Sequence, residues 1–280
     1  MSSTIGKSAN FGLPTVAVTI GDPAGIGPEV CLKLLANPEI QSRCRLVILG
    51  GYSILQTHSK LLRLPFTTVK IDDISKIESA PSNVVLNIET KDFDKIRLGE
   101  VSPESGEAAF NYLQSAMDLA KRNLIDAIVT GPINKLSFNA AGVRFPGHTE
   151  LFASSFGVEN FCMMQYSRLI TCSFVTTHVG YQDVVQRLSV ERIGNVIRLT
   201  HDALNKINGA APRLVVCGLN PHAGEEGLFG HREEENIIQP AIVKCRSEGM
   251  TIEGPLPPDT CFIPAKRETT DGYICMYHDQ

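Results

Sequence analysis

The sequence predicts an α/β fold built on a largely parallel sheet. Strand-like runs alternate with helix-like segments along the chain, the arrangement in which successive strands are joined by crossover helices. Several of the runs are apolar and β-branched, as buried strands are, and glycine or proline closes two of them abruptly. The 280 residues suffice for one large α/β domain or two smaller ones with cores of their own.

Taken in order, residues 15–20 (TVAVTI) form a short strand, a Gly-Pro-rich turn follows, and a helix begins at Glu29 and runs to Leu35. Residues 45–49 (RLVIL) are a second strand, stopped by Gly50 and Gly51, and residues 84–88 a third, with polar flanks. From Ser105 onward, Ala109, Leu113, Ala116, Ala120 and Leu124 recur at three- and four-residue spacing and predict one apolar helix face. Residues 126–130 then read as a strand cut off by Gly131 and Pro132. Residues 190–207 predict a further helix, with Ile193, Val196, Ile197, Thr200 and Leu204 on its apolar face.

Composition narrows the function. Hydrophobic residues make up 43% and charged residues 20%, values of an ordinary globular enzyme rather than a disordered chain. The formal charge is -4, and no basic cluster exceeds the pairs Lys121-Arg122 and Lys266-Arg267, which argues against nucleic acid as a partner. Eight cysteines occur without a C-x-x-C pair, several inside apolar runs, as reduced thiols of a cytosolic protein do. Residues 1–12 lack the apolar centre of a signal peptide, and no apolar stretch approaches bilayer length. A soluble, cytoplasmic protein without a membrane partner is expected.

Three histidines share one placement. His178 follows the run 169–177, His222 the run 214–221, and His278 the run 273–277. Parallel strands present their carboxyl ends at one edge, where ligands bind. Three imidazoles there suit a divalent metal with a position left open for substrate. The gaps of 44 (178 to 222) and 56 (222 to 278) exclude short-spacing signatures such as H-E-x-x-H. His58, His201 and His231 lack this placement.

Three turns add candidates. The segment 21–29 (GDPAGIGPE) lies between a strand and a helix; its spacing fits neither the dinucleotide fingerprint nor the P-loop, yet predicts a tight backbone-lined turn at the active edge. Lys135, in T-G-P-I-N-K, would bring a positive charge to a carboxylate or phosphate, or be an ordinary solvated lysine. The segment F-P-G-H-T-E places His148 and Thr149 at a helix start, with Thr149 as N-cap, suited either to an anion or to simple capping.

Together T-I-G-D-P-A-G-I-G-P-E, V-T-G-P-I-N-K, F-P-G-H-T-E, T-T-H-V, L-N-P-H-A-G-E and M-Y-H-D-Q resemble, in order and spacing, the 4-hydroxythreonine-4-phosphate dehydrogenase (PdxA) family of vitamin B6 synthesis. The resemblance implies a two-domain isocitrate/isopropylmalate-dehydrogenase-like fold with a cleft between domains, here a first domain over 1–137 and a second over 138–280. It implies a homodimer with the active site at the subunit interface, and NAD bound outside the Rossmann fingerprint. His178, His222 and His278 would match ligands of one divalent ion (Zn, Mg, Co or Mn) drawn from both subunits, in the second domain, which also carries the dimer interface. His148 and Thr149 would match substrate contacts, with Lys135 and Asp279 managing charge and protons. The expected reaction is NAD-dependent oxidation, with decarboxylation, of 4-phosphooxy-L-threonine. The alternatives are a paralogue oxidising D-threonate or D-erythronate 4-phosphate, a metal-dependent hydrolase or lyase without NAD, and a non-catalytic fragment. The last arises because the family pattern continues past M-Y-H-D-Q with substrate-binding residues and with the completion of its first domain.

Overall fold

In the computed structural model the described residues are 12–280 apart from 78, 81, 82 and 146. The chain divides into two compact units, Met1–Phe145 and Pro146–Gln280. Placing the boundary after residue 137 would cut a short helix whose backbone packs directly on the preceding long one: a Cβ added at Gly106 would lie 2.0 Å from the Ser137 carbonyl oxygen. The division places residues 138–145 in the first unit.

The first unit runs β1 (Thr15–Thr19), α1 (Gly27–Leu35), α2 (Pro38–Gln41), β2 (Arg45–Gly50), α3 (Tyr52–Leu62), β3 (Val69–Ile71), β4 (Val84–Asn87), α4 (Pro103–Lys121), β5 (Ala127–Thr130) and α5 (Lys135–Ala140). Its sheet has the order β3-β4-β2-β1-β5, and every pairing is parallel. Alternate strand residues feed two cores: Val18, Leu46 and Ile48 pack with Leu32 and Leu55 on one face, while Ala17, Val47 and Leu49 pack with Ala116 and Leu119 on the other. Such burial on both faces is why these strands read as continuous apolar runs. Pro103 opens α4, whose Ser102 hydroxyl accepts the Ser105 N–H at 3.1 Å. The helix stops at Lys121, so Leu124, expected on its apolar face, lies beyond its end.

The second unit runs α6 (His148–Phe156), β6 (Met163–Tyr166), β7 (Thr171–Thr176), α7 (Tyr181–Arg187), α8 (Val190–Asn208), β8 (Arg213–Cys217), α9 (Gln239–Ser247), β9 (Thr251–Leu256), α10 (Pro258–Cys261), α11 (Pro264–Arg267) and β10 (Gly272–Tyr277). Its sheet has the order β6-β7-β10-β8-β9, parallel except for β6 against β7. The predicted face of α8 is the buried one, with Ile193, Val196, Ile197, Thr200 and Leu204 all under cover. It meets Leu214, Val216, Ile274 and Met276 on one side of the sheet, while Val215, Cys217, Tyr273 and Cys275 turn to the other. All eight cysteines are free thiols, five of them buried. No helix among the described residues is long and apolar enough to cross a membrane.

Candidate active site

The second sheet places β7, β10 and β8 side by side and parallel, so the segments carrying His178, His278 and His222 leave from one edge. His278 follows β10 directly, and His178 stands two residues past β7 in a left-handed conformation with φ of 54°. The two imidazole rings lie 5.9 Å apart between centroids, and the Phe174 ring packs 5.5 Å from His278. Beside them opens a cavity of about 250 Å³ whose lining includes Thr176, His178, Tyr181, Tyr277, His278 and Asp279. The turn of His278 is pinned by Gln280, whose side chain accepts the Met276 N–H at 2.6 Å and donates to the Gly218 carbonyl at the end of the neighbouring strand.

Each of these imidazoles has a carboxylate at Nδ1. The Glu150 carboxylate stands 3.4 Å from Nδ1 of His178, and Asp279 stands 3.3 Å from Nδ1 of His278. A ring that donates Nδ1–H to a carboxylate keeps Nε2 as its lone-pair nitrogen, the arrangement found behind histidines that ligate metals. Glu150 comes from the first turn of α6, and the Gly147 backbone permits it to lie close: a Cβ there would meet Glu150 Oε2 at 3.1 Å and the His178 ring at 3.3 Å. The helix start itself differs from expectation. Its N-cap is Gly147, in extended backbone with no side-chain cap, so Thr149 sits inside the first turn rather than capping it. His148 is the first helical residue and stacks on Phe152 at 6.3 Å. Pro146 of the same motif lies outside the described residues.

His222 is held differently. Strand β8 ends at Cys217, four residues short of the expected run, and the chain then enters a 3₁₀ segment, Pro221–Gly227. Within it His222, Ala223, Glu225 and Glu226 all have positive φ, between 41° and 55°, around Gly224 at 80°. Left-handed backbone costs a residue with a Cβ roughly 1–2 kcal/mol, so this turn persists because its surroundings hold it. The His222 ring packs on Phe229, 5.9 Å away.

Imidazole and carboxylate groups suit a divalent ion, and His178 and His278 fit one in kind: adjacent rings beside a cavity, each backed by a carboxylate. Among the described residues, however, no group of three or more His, Cys, Asp or Glu side chains is arranged to hold a metal ion within one chain. The expected convergence of all three histidines is thus incomplete in one chain. His278 directly follows its strand, whereas His222 stands five residues past Cys217 (222 − 217), in a left-handed turn. One chain brings two of the three imidazoles side by side.

In the first unit, Lys135 is the exposed first residue of α5, whose N-cap Asn134 accepts the Leu136 and Ser137 N–H groups at 2.9 and 3.1 Å. The glycine-rich turn serves packing as much as a ligand. A Cβ at Gly27 would lie 1.8 Å from the Ile20 carbonyl oxygen, at Gly21 2.3 Å from that of Pro132, and at Gly131 2.5 Å from that of Thr19. These glycines let the turns after β1 and β5 lie against each other. The buried Asp22 carboxylate is occupied with its own turn, accepting the Ala24 N–H at 2.7 Å. A cavity of about 200 Å³ lined by Asp22, Gly25, Ile26, Glu100, Pro132 and Asn134 adjoins. Two carboxylates and no cation stand in its lining, which disfavours an anion there.

Residues 42–280 match the family described as pyridoxal phosphate biosynthetic protein PdxA. The chain belongs to this family. Among similar PdxA-type proteins, one of Oceanobacillus iheyensis, provisionally named D-threonate 4-phosphate dehydrogenase, is 41% identical over 271 residues, covering 95% of this chain and 81% of its own. The 4-hydroxythreonine-4-phosphate dehydrogenase of Desulfosudis oleivorans is 37% identical over 269 residues, 95% of this chain and 79% of its own. The crystal structure of a 4-hydroxythreonine-4-phosphate dehydrogenase from Burkholderia phymatum superposes with a TM-score of 0.80 at 35% identity, covering 96% of this chain and 81% of that one. The chain therefore spans about four-fifths of the length of these relatives. It is a PdxA-type dehydrogenase, with the two-domain isocitrate/isopropylmalate-dehydrogenase-like fold.

Two carboxylates of the PdxA chain escaped the reading of its sequence. Glu150 and Glu234 have no local signature, because their partners lie 28 residues (Glu150 to His178) and 15 residues (Glu234 to Leu219) away. The signal available for Glu150 was its place beside His148 and Thr149 in a single motif.

Proposed function

We propose that this chain catalyses the NAD-dependent, divalent-metal-assisted oxidation of 4-phosphooxy-L-threonine, with decarboxylation, as a homodimer acting in pyridoxal phosphate synthesis. The observation that supports it most is the paired His178 and His278 at the sheet edge, each backed by a carboxylate, in a chain of this family. With His222 contributed from a second subunit, the histidines would hold an ion that supplies Lewis acidity at the substrate hydroxyl and its neighbouring carbonyl, while NAD accepts the hydride. The protein groups divide the remaining work. His148 and Thr149, at the amino end of α6, bind the anionic part of the substrate, where the positive end of the helix dipole adds its own attraction. Lys135, on an exposed first turn, neutralises a carboxylate or phosphate. Asp279 orients His278 and receives or returns its proton. Once the hydroxyl is oxidised, the 3-oxo acid loses CO₂ because the new ketone accepts the electrons of the broken C–C bond.

The name of the Oceanobacillus relative supports a second reading with the same chemistry, in which the substrate is D-threonate 4-phosphate, with D-erythronate 4-phosphate as its close variant. The test is NADH formation by the purified chain with NAD, a divalent ion and each phosphorylated acid in turn. The first reading expects chelator-sensitive NADH formation with the highest kcat/KM on 4-phosphooxy-L-threonine, lost in His278→Ala. A higher kcat/KM on a threonate or erythronate phosphate selects the second. No NADH from any of them at saturation, or turnover unaffected by complete chelation, refutes the metal-assisted dehydrogenase.

A further inference from the structure

Around His222 the backbone makes a turn that its own residues do not favour, and one side chain from elsewhere gathers its polar groups. Glu234 is 2% exposed. Its Oε1 accepts the backbone N–H groups of both Leu219 and Asn220, at 2.9 and 2.8 Å, and its Oε2 accepts the Asn220 side-chain amide at 3.0 Å. The Gly224 backbone rests against the same carboxylate: a Cβ there would lie 2.6 Å from Oε2. All of these contacts are with residues 219–224, and Glu234 itself opens a π-helical turn, Glu234–Ile238, that runs into α9. Such turns interrupt α-helices mainly at functional positions. Its neighbour Glu233 shares the Asn220 side-chain amide, at 2.9 Å, but touches neither the Leu219 nor the Asn220 backbone N–H and otherwise accepts the His231 N–H at 2.7 Å.

A carboxylate accepting two successive backbone N–H groups fixes the peptide planes between them, and charge-assisted bonds under burial are the strong ones. Leu219 and Asn220 lead directly into Pro221 and His222. We infer that Glu234 is the positioning residue for His222: it holds the left-handed turn in the one conformation from which that imidazole can act. The inference rests on the proposed function only in taking His222 as part of the site; the holding of the turn is independent of it.

Hydrogen exchange of the full chain without added metal, read by peptide mass, tests the holding. Glu234→Gln removes the charge from these bonds and, with its oxygen kept on the Leu219 and Asn220 N–H groups, turns its NH2 on the Asn220 amide, so peptides across 218–229 should exchange about tenfold faster or more, with the rest of the chain unchanged. Glu233→Gln should change them far less. Titration with Co²⁺ alone then addresses His222: Glu234→Gln should lose about tenfold or more in affinity, in the direction of His222→Ala, at a native-like Tm. A native chain that binds no Co²⁺ refutes the functional reading, and the exchange result alone then decides on Glu234. Unchanged exchange in Glu234→Gln, acceleration spread over the whole second unit, or Co²⁺ affinity untouched where native protein binds it, overturns the inference. If Glu234→Gln does not fold, Gly224→Ala presses on the same carboxylate from the other side. Local acceleration there supports the inference; loss of folding in both variants makes Glu234 a purely structural residue and overturns it.

Discussion

Gly106→Ala separates two opposed effects whose sizes can be worked from the structure. Position 106 is inside α4, where alanine is favoured over glycine by about 1 kcal/mol. Here the added methyl would lie 2.0 Å from the Ser137 carbonyl oxygen, 2.4 Å from its carbon and 2.9 Å from the Phe138 nitrogen. All three are buried backbone atoms of α5 and cannot swing aside as a side chain would. Relief requires α5 to move by more than an ångström, an overpacking cost of about 2–3 kcal/mol; undocking it would instead expose Phe138, which is 5% exposed, at a similar cost. After the propensity gain, a net loss of about 1–2 kcal/mol remains. Gly194→Ala is the control: it lies within α8, and its nearest neighbour is the flexible end of Arg198 at 3.2 Å, so most of the propensity gain survives. Guanidinium unfolding followed by circular dichroism measures both. Because α5 begins at Lys135, Gly106→Ala should also raise KM for a phosphorylated acid. A Gly106→Ala protein as stable as the native one, or a Gly194→Ala protein that loses as much, would refute the packing argument.

Glu150→Gln should weaken Co²⁺ binding by about tenfold, the lower end of the effect of losing a carboxylate behind a ligating histidine, since the 3.4 Å contact is long; an affinity within twofold of native counts against the role. Glu233 holds its carboxyl below the usual range: burial alone would raise it, but the His231 N–H and the Asn220 amide outweigh that. A depressed carboxyl stabilises the fold above its unfolded pKa, and the contribution is lost as pH falls through the folded value. The stability difference between native protein and Glu233→Gln should therefore shrink between about pH 5 and pH 3; a difference that grows on acidification contradicts the assignment. Native protein should react with an aromatic disulfide reagent at no more than Cys44, Cys162 and Cys172, since the other five thiols are buried and burial pushes Cys31 up to about 12. Rapid modification of all eight without denaturant would rule out this packing.

The runs at 15–20, 45–49 and 84–88 were legible because they are buried on both faces, which leaves an unbroken apolar signal. The helix α8 was legible through its period, with five predicted residues now buried. Strand β3 was not: Val69 and Lys70 are exposed and only Ile71 is covered, so three residues carry no pattern. The shared edge of the three histidines could be read from strand-end position, since β7, β10 and β8 are adjacent. Their spacing from one another could not, because it depends on the turn after Cys217, where four non-glycine residues adopt left-handed backbone without any residue preference announcing it. The glycines of residues 21–27 pointed correctly to close approach but not to its object, which is largely neighbouring backbone.

The order of the second sheet has a temporal side. Its central strand, β10, comes later in the sequence than both strands it separates, and Tyr273 pairs with Cys172 across 101 residues (273 − 172). A ribosome adding roughly 5–20 residues per second would deliver β7 about 5–20 seconds before its partner. Until then β7 and β8 have no strand between them, and their inner edges expose backbone donors and acceptors to any passing strand. In the first sheet β1 waits as long for β5, since Val16 pairs with Ala127 across 111 residues (127 − 16), but β5 adds at an edge rather than between two strands already made. His278 therefore reaches His178 in the same event that closes the sheet, so its site cannot assemble ahead of the fold.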